Sequence, residues 1–429
     1  MNGNQLTLFD EQAAGAAGLD SAALAGEVRS FTWDGKRTEE QTVTAAFDGR
    51  PVPVPLLVNE FWTSRQRSAH SLHEISYRAC FKPQLPRFFI DRLTAPGDTV
   101  YDPFSGRGTT ALEAALAGRI PVACDVNPLS RILLEPRLHP PSMPEIAARL
   151  NEIPWSDAGE ARDDLRVFYH PETLDRISAL RAHLLRREQS GSIDHIDRWL
   201  RMVAVNRLTG HSPGFFSVYT MPPNQAVSIG AQEKINARRE QVPPQRDVSR
   251  LILTKSRSLL GDVDERVSQV LEDVRGRSRL LTGPAAETRA IPSESVDLVV
   301  TSPPFLDVVN YAADNWLRCW FCDIDPAAVE ITMAKQPQAW HDAMRAVFVE
   351  LMRVLRPGKF VAFEVGEVRV GRLKLEEVVI PSAMGAGFEP AFVLVNAQQF
   401  TKTANCWGVT NNSKGTNTNR IVLLRKPGR

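Results

Sequence analysis

The sequence predicts an α/β fold, a mostly parallel sheet covered by helices on both faces and interrupted by a long, largely helical insertion. Apolar strand-like runs alternate with helical runs over residues 98–126 and 283–429, a pattern typical of parallel sheets. The stretch between them has a different composition. At 429 residues the chain also exceeds one typical core, which favours a single α/β unit with a large insertion or a second domain.

The N-terminal residues predict a flexible arm. Residues 1–50 are rich in Ala, Gly and polar side chains and show no sustained apolar period. Within this arm, residues 5–9 read QLTLF, which resembles the short peptide that bacterial replication proteins insert into a sliding clamp. A sliding clamp is therefore a candidate partner, although so short a peptide also arises by chance.

The first strand-like run leads into a glycine-rich turn, DPFSGRGTT at residues 102–110. Gly106 and Gly108 permit positive φ and the close approach of a ligand, and the helix predicted to start at Thr109 directs its positive dipole end at the same place. A second apolar run at residues 120–124 is closed by Asp125, at about the interval where nucleoside-binding folds place a ribose-binding carboxylate. These elements together predict a nucleoside site.

A second motif, SPPF at residues 302–305, follows the apolar run at residues 296–301. Two consecutive prolines hold φ near about −65° and lack N–H donors, so the turn offers carbonyl acceptors. Ser302 adds a side-chain oxygen, and Phe305 adds a ring face on which a base stacks with about 1–3 kcal/mol. The motif predicts a pocket for a flat ring that carries an exocyclic amine.

As a pair, the two motifs resemble those of the exocyclic-amino DNA methyltransferases, which methylate cytosine N4 or adenine N6 with S-adenosyl-L-methionine (AdoMet). The family's AdoMet motif matches residues 102–110, and its catalytic Ser/Asn/Asp-Pro-Pro-Tyr/Phe motif matches residues 302–305. Residues 61–86 also resemble the family's N-terminal cofactor-side motif. One departure is the Gly-Pro at residues 283–284, where many members have Gly-Asp.

The resemblance implies a Rossmann-like AdoMet-dependent methyltransferase sheet. It divides the chain into a cofactor-binding half at residues 51–139, an inserted target-recognition region at 140–282 and a catalytic half at 283–429. It places catalysis on Ser302, Pro303, Pro304 and Phe305. It assigns AdoMet binding to Phe81, Lys82, Asp102, Pro103, Phe104, Ser105, Gly106, Gly108, Thr109, Thr110, Asp125 and Asn127.

The target base is predicted from the first residue of the catalytic motif. In this family Ser-Pro-Pro goes mostly with cytosine N4 and Asp/Asn-Pro-Pro with adenine N6, so Ser302 favours cytosine. Adenine N6, an RNA base and a catalytically silent AdoMet- and DNA-binding protein stay open as alternatives. Methylation of cytosine C5 is disfavoured, because it needs a thiolate nucleophile, usually on a Pro-Cys turn, and no Pro-Cys dipeptide occurs in the chain.

The insertion is the predicted DNA-reading region. Two helical runs, opened by His170 and at residues 196–204, precede a Pro-, Gly- and Asn-rich stretch at residues 208–247. Arg suits guanine, and Asn or Gln suits adenine, in the major groove. The alternative is that the aromatic residues anchor a long loop and the arginines are solvated. The candidate DNA-binding residues are Phe215, Tyr219, Asn224, Gln225, Arg238 and Arg239.

Composition favours a soluble intracellular enzyme, and the resemblance implies that it is bacterial or phage-encoded, cytoplasmic and associated with the nucleoid. No run approaches the ~18 apolar residues of a membrane span, and no secretory start is present. The five cysteines lack the spacing of a disulfide framework, and the lone pair Cys319 and Cys322 favours two buried thiols over a zinc site, so no metal is expected. The expected partners are double-stranded DNA and a cognate restriction endonuclease.

Overall fold

The computed structural model describes ten stretches of the chain, residues 19–62, 69–77, 80–159, 162–221, 226–304, 311–329, 337–365, 367–368, 373–397 and 418–428. The clamp-like peptide at residues 5–9 lies outside the described residues. So do Phe305 of the catalytic motif and Asn224 and Gln225 of the insertion. The predictions that rest on these residues therefore stay predictions.

The described residues contain thirteen strands. They are β1 (Thr32–Trp33), β2 (Lys36–Arg37), β3 (Glu39–Phe47), β4 (Arg50–Asn59), β5 (Thr99–Asp102), β6 (Ile120–Asp125), β7 (Arg279–Thr282), β8 (Val296–Thr301), β9 (Leu355–Val365), β10 (Glu367–Val368), β11 (Leu373–Lys374), β12 (Glu389–Ala397) and β13 (Thr418–Arg425). Among the described residues, nine of them form one sheet in the order β3-β4-β12-β13-β9-β8-β5-β6-β7.

The helices cover this sheet and build the insertion. They are α1 (Ser21–Ser30), α2 (Gln84–Leu93), α3 (Thr109–Leu116), α4 (Leu129–Leu138), α5 (Met143–Glu152), α6 (Pro171–Gln189), α7 (His195–Val205), α8 (Ile229–Arg239), α9 (Val248–Leu259), α10 (Glu265–Arg275), α11 (Tyr311–Cys322), α12 (Pro337–Val354) and α13 (Glu376–Met384). Within the described stretches, none of them combines the length and the apolar character that crossing a membrane requires.

The topology of the sheet confirms the predicted Rossmann-like fold. From β5 the chain moves outward to β6 and β7 on one side, and from β8 to β9 on the other, and all five strands are parallel. β13 runs antiparallel between β9 and β12. The direction of progression reverses between β5 and β8, and α/β folds bind ligands outside the carboxyl ends of the strands at such a switch point.

Each face of the sheet is buried under helices. On one face, Phe348 of α12 packs on Phe363 of β9 with ring centroids 4.8 Å apart, and Phe388 lies 6.0 Å from the Phe348 ring. On the other face, α2 and α3 cover Val100, Leu298 and other residues of the central strands. The apolar spacing of three and four residues along α12 predicts this packing, which the structure confirms.

The N-terminal prediction is wrong for residues 19–50. α1 begins at a side-chain cap, where Asp20 accepts from the backbone N–H of Ala23 at 2.8 Å. β3 then pairs with β4 along its full length and places Val43 in the core. The sequence pattern misses this edge hairpin because β3 buries only two of its nine residues and therefore carries little apolar signal.

The predicted insertion is helical and shares its core with the cofactor-binding half. Residues of α6 and α7, such as Ile177 and Trp199, belong to the same apolar cluster as Leu112 of α3 and Leu133 of α4. Trp199 is fully buried, and its indole N–H donates to Ser256 Oγ at 3.0 Å. At the end of the insertion, β7 is already a strand of the central sheet.

We expect Phe348→Ala to lower the free energy of unfolding by about 3–5 kcal/mol, because it opens a cavity between α12 and the sheet. Chemical denaturation of the purified protein measures this loss. The neighbouring Val349, 55% exposed, supplies the control, since Val349→Ala changes stability by no more than about 0.5 kcal/mol. Equal effects of the two substitutions would contradict the packing of this helix.

Candidate active site

The two sequence motifs meet where β5 and β8 end side by side. Thr301, the last residue of β8, donates its hydroxyl hydrogen to Asp102 Oδ1 at the end of β5, at 2.6 Å. The Thr110 hydroxyl, at the start of α3, donates to the carbonyl of Val300 at 3.1 Å. These two hydrogen bonds join segments about two hundred residues apart in the chain. The turn after β8 and the glycine loop after β5 therefore form one site.

The glycine loop needs its two glycines for different physical reasons. Gly106 has φ +52° and Gly108 has φ +80°, the left-handed region that favours glycine. A Cβ atom at Gly108 would lie 2.7 Å from Leu134 Cδ1 of α4, so a side chain there would also clash. At Gly106 a Cβ atom would meet only Tyr77, at 3.7 Å. The loop thus packs tightly against α4 and has more space around Gly106.

Asp125 holds the glycine loop in place from the end of β6. Its Oδ2 accepts from the backbone N–H of Gly106 at 2.7 Å, and its Oδ1 accepts from the backbone N–H of Asn127 at 2.9 Å. Asn127 in turn accepts from the backbone N–H of Leu129 through its side chain at 3.0 Å and so caps α4. The predicted acidic residue is therefore a structural part of the loop, and its position at a strand end keeps it beside the site.

A buried hydroxyl in the glycine loop also agrees with the predicted nucleoside cofactor. The Ser105 hydroxyl is buried in the loop, and among the described residues no hydrogen-bond partner reaches it. A buried hydroxyl without a partner costs free energy, so a ligand that bonds to it is favoured. Ser105 Oγ, the approach at Gly106 and the carboxylate of Asp125 together fit a ligand with a ribose and polar groups.

The remaining predicted cofactor residues surround this loop. Pro103 is buried, and Phe104 packs partly against the apolar cluster under α12 and α13. The Thr109 hydroxyl accepts from Arg107 Nε at 3.1 Å. Phe81 is half-buried, with its carbonyl 3.5 Å from Arg107 Nη2, whereas Lys82 is exposed. Their roles in AdoMet binding stay predictions.

Asp102 is a buried carboxylate with neutral neighbours. It is 1% exposed and accepts from the Thr301 hydroxyl and from the backbone N–H of Phe104 at 3.1 Å. Burial raises the pKa of Asp102 to about 7, although the hydrogen bonds from Thr301, Phe104 and Thr110 lower it. Burial also raises the pKa of Asp125. The site therefore holds two carboxyl groups that a cationic ligand would help to ionise.

The turn at residues 302–304 is fixed from behind by a tryptophan. Trp340 of α12 is 1% exposed, and its indole N–H donates to the carbonyl of Pro304 at 3.0 Å. Pro303 is buried and Ser302 is half-buried. The indole bonds to the Pro304 carbonyl, whereas the acceptors predicted to hold the target amine are the Ser302 hydroxyl oxygen and the Pro303 carbonyl oxygen.

A buried glutamate beside Ser302 is the site residue that sequence reasoning missed. Glu364 of β9 is 8% exposed and accepts from Asn419 Nδ2 at 2.8 Å. It lies beside Ser302 on the neighbouring strand, because Thr301 of β8 pairs in register with Phe363 of β9. Burial raises the pKa of Glu364, while the bonds from Ser302 and Asn419 lower it. The signal was present in the sequence: Glu364 continues the alternation of Phe360 and Ala362, which puts a charged residue on an apolar face of the strand.

Residues 69–77 pass over the glycine loop and connect it to the insertion. His73 Nε2 lies 2.6 Å from Glu113 Oε1 of α3, both groups are buried, and burial lowers the pKa of His73. Arg137 of α4 donates to the carbonyl of Leu72 at 3.3 Å. From the insertion, Asp262 Oδ2 accepts from the backbone N–H of Ser71 at 2.8 Å. The insertion is therefore hydrogen-bonded to the segment that passes over the glycine loop.

The predicted DNA-binding residues divide into two groups. The guanidinium carbon of Arg239 lies 3.8 Å from the centroid of the Tyr219 ring. Arg238 and Arg239 are exposed at the end of α8. The Pro- and Gly-rich composition of this stretch did not predict this helix. Phe215 instead packs against Gly210, and the guanidinium carbon of Arg207 lies 4.1 Å from the centroid of the Phe215 ring. The packing of Phe215 agrees with the alternative that it anchors the loop, while Tyr219 and Arg239 remain accessible for a ligand.

The two cysteines of the C-x-x-C pair lie in the core. Cys319 and Cys322 are buried on α11, and burial raises their pKa values to about 11 and about 12. Across the part of the chain that the structure describes, no group of three or more side chains is arranged to hold a metal ion.

Comparisons with known proteins agree with the family resemblance over the first part of this site. Residues 33–130 match the N6_N4_Mtase family model, described as DNA methylase. The type II methyltransferase M.MjaII of Methanocaldococcus jannaschii is 32% identical over 74 residues, 17% of this chain and 14% of that protein. M.BsoBI of Geobacillus stearothermophilus, also a type II methyltransferase, is 33% identical over 78 residues, 18% of this chain and 15% of that protein.

Two solved structures show the extent of the structural similarity. The putative DNA modification methylase TTHA0409 of Thermus thermophilus, complexed with S-adenosyl-L-methionine, is 24% identical, covers 34% of this chain and 54% of that chain, and has a TM-score of 0.22. The rRNA methyltransferase AviRa of Streptomyces viridochromogenes is 13% identical, covers 82% and 88%, and has a TM-score of 0.31. These scores are too low to assign a fold, which rests on the strand order of the chain itself. The match of residues 33–130 confirms the resemblance to the DNA methylase family over that part of the chain.

We expect Asp102→Asn to gain stability relative to the unsubstituted protein as the pH rises from about 4 to about 8. The folded protein raises the pKa of Asp102 from 3.8 to about 7, so the carboxyl favours folding below its unfolded pKa and loses this contribution as the pH rises through the folded value. The relative gain is about 1–4 kcal/mol, and denaturation at several pH values measures it. Asp175→Asn, on the exposed face of α6, is the control. Parallel pH profiles for Asp102→Asn and the unsubstituted protein would contradict the burial of this carboxyl.

Proposed function

We propose that this chain, whose residues 33–130 match the DNA methylase family model, is a DNA methyltransferase that transfers a methyl group from AdoMet to cytosine N4. One observation carries the proposal. The turn at residues 302–304, rich in acceptors, and the glycine loop at residues 102–110 are hydrogen-bonded to each other at the switch point of the sheet. A methyl donor in the loop and a target amine at the turn would therefore be neighbours.

The chain's own residues supply the binding and the orientation. The loop around Ser105 and Gly106, together with Asp102 and Asp125, would hold AdoMet, which when bound supplies an electrophilic methyl group on a sulfonium. The ionised carboxyls would favour this cation. The chain spans only 14–15% of the length of the two type II methyltransferases it matches, so the activity and the DNA substrate are proposed from the site.

The target base would enter the turn after leaving the duplex. An exocyclic amine within a base pair is inaccessible, so the base must be flipped out at a cost of a few kcal/mol. The Ser302 oxygen and the Pro303 carbonyl would accept the two amine hydrogens and direct the nitrogen lone pair at the methyl group. Phe305, outside the described residues, would stack on the ring. Such positioning is a large part of catalysis in bimolecular reactions.

Cytosine N4 is favoured over adenine N6 by the residue at position 302. Ser302 presents a hydroxyl, and the resemblance associates this residue with cytosine. Adenine N6 is the alternative outcome of the experiment described below. A restriction endonuclease partner and a sliding clamp bound through residues 5–9 remain further proposals, based on the sequence.

We expect the protein, expressed in a bacterial host without its own DNA methylation, to introduce N4-methylcytosine at one short sequence motif. Long-read sequencing kinetics map the modified bases in the genomic DNA. Ser302→Ala should abolish the modification, because it removes one of the two acceptors that hold the amine. Ser295→Ala is the matched control, since Ser295 lies just before β8 at the opposite edge of the sheet and its hydroxyl donates to the nearby carbonyl of Pro292.

Other results of this experiment separate the alternatives. N6-methyladenine that disappears in Ser302→Ala would keep the site and overturn the assignment to cytosine. Modification that persists in Ser302→Ala would overturn the catalytic role of the turn. The absence of DNA modification with the unsubstituted protein would overturn the proposal for DNA.

A further inference from the structure

The strand ends beside Ser302 carry a row of polar side chains on one face of the sheet. Asn59, Asn396, Asn419 and Glu364 belong to β4, β12, β13 and β9, which are consecutive neighbours in the sheet. Asn59 pairs in register with Asn396, and Asn396 with Asn419. Such residues are unusual on this face, because the positions two residues away on the same strands, such as Leu57, Leu394 and Ile421, are buried and apolar.

The two outer members of the row, Asn59 and Asn396, form hydrogen bonds with backbone groups. Asn396 donates to the carbonyl of Trp62 and accepts from its N–H, both at 3.1 Å. Asn59 donates to the carbonyl of Phe31 at 3.3 Å and accepts from the N–H of Glu60 at 2.8 Å. These amides hold the chain that follows β4, so structural roles account for them.

The inner members connect to the catalytic turn. Asn419 donates to Glu364 at 2.8 Å. Thr301 pairs in register with Phe363, so the next residues along the two parallel strands, Ser302 and Glu364, are neighbours, and hydrogen bonding from Ser302 lowers the pKa of Glu364. An amide and a hydroxyl both donate to a carboxylate, so when Glu364 is ionised, the Ser302 hydrogen points toward Glu364. The lone pairs of the Ser302 oxygen then point away from Glu364.

We propose that Glu364 is a positioning residue for the amine-binding turn: it accepts the Ser302 hydroxyl hydrogen, turns the lone pairs of the Ser302 oxygen toward the target amine, and receives the amine's proton through Ser302. This inference rests on the proposed function. It adds a proton route that the two motifs do not contain.

The proton movement balances with methyl transfer. The amine nitrogen forms a bond to the methyl carbon while the carbon–sulfur bond breaks and its electron pair stays on sulfur, which becomes a neutral thioether. The nitrogen, now positively charged, gives one proton to the Ser302 oxygen. Ser302 gives its own hydrogen to Glu364, which becomes a neutral carboxylic acid and returns its proton to water before the next turnover. General acid–base transfer of this kind contributes roughly 10²–10⁴-fold to rates.

The surroundings leave Glu364 available for this exchange. On β13, Arg420 is bonded to Glu376 of α13. On α2, which packs on β8, Arg87 pairs with Asp91 at 2.7 Å. On β5, Asp102 accepts from Thr301. The partners that the structure gives to the Glu364 side chain are thus the neutral groups of Ser302 and Asn419, and a carboxyl with neutral partners in a buried site takes up a proton more readily than one paired with a cation.

We expect Glu364→Gln to lower kcat for DNA methylation by roughly 10²–10³-fold and to leave the KM for DNA and the Kd for AdoMet close to those of the unsubstituted protein. The side-chain oxygen of the glutamine still accepts from Asn419. Its NH2 group, however, donates to the Ser302 oxygen and so occupies a lone pair that the target amine needs. Glu364→Asp should recover part of the rate. Glu389→Gln, at the amino end of β12 and 58% exposed in its side chain, is the control.

The pH dependence separates this role from a structural one. The ionised form of Glu364 is the active one, so kcat should fall as the pH drops through its pKa, and this fall should be absent in Glu364→Gln. Asn419→Ala removes a hydrogen bond that lowers the pKa of Glu364, so it should move the same fall to higher pH. An unchanged kcat in Glu364→Gln, or an Asn419→Ala profile that stays in place or moves to lower pH, would overturn the proposal.

A measurement without DNA or AdoMet keeps the two proposals distinguishable. Because burial raises the folded pKa of Glu364 above its ordinary value of 4.5, the carboxyl favours folding at low pH, and this contribution is lost as the pH rises through the folded pKa. The unsubstituted protein should therefore lose stability relative to Glu364→Gln over that range. Inactivity of the unsubstituted protein on DNA overturns the proposed function, whereas pH profiles of unfolding that run parallel overturn the titrating Glu364 on their own.

Discussion

The hydrogen bond between Thr301 and Asp102 is the constraint on which the site depends. It joins the last residues of β5 and β8, the two strands on either side of the switch point, and it is buried. Parallel strands bring their carboxyl ends to the same edge of the sheet. Their pairing alone does not fix how the loops that follow two strands are placed relative to each other. A side-chain bond at the strand ends does so, and the Thr110 bond to Val300 repeats this restraint from α3.

The same edge of the sheet concentrates carboxyl groups whose hydrogen-bond partners, among the described residues, are neutral. Asp102 and Glu364 accept mainly from hydroxyl, amide and backbone donors, and desolvation raises both of their pKa values. Neutral donors orient a carboxyl without fixing its charge, whereas an arginine would hold it ionised. This explains how one edge can combine a well-defined geometry with groups whose protonation responds to what is bound. The arginines of this region, Arg107 and Arg137, donate largely to backbone carbonyls instead.

Much of this arrangement follows from local sequence. The strands β5, β6, β8, β9, β12 and β13 and the helices α3 and α12 were predictable because their apolar periods match burial in the core, and the two motifs mark the loops after β5 and β8. Three features were not. β3 is an edge strand with little buried surface, α8 forms in a Pro- and Gly-rich stretch and buries one residue, Gln232, and the Glu364–Ser302 contact depends on strand neighbours that are far apart in the chain. Each depends on tertiary context, which local patterns do not contain.

The shared core of the insertion has a consequence for how such a protein changes its specificity. Leu133 of α4, Trp199 of α7 and Leu112 of α3 lie in one apolar cluster, and residues 69–77 are bonded both to α3 and to Asp262. A recognition region joined by a linker can be exchanged between homologues as a module. The insertion that we propose for target recognition cannot be removed without exposing the underside of the glycine loop. Under that proposal, new specificities would arise by substitution in exposed positions such as Arg238 and Arg239, and a graft would have to include α3 and α4.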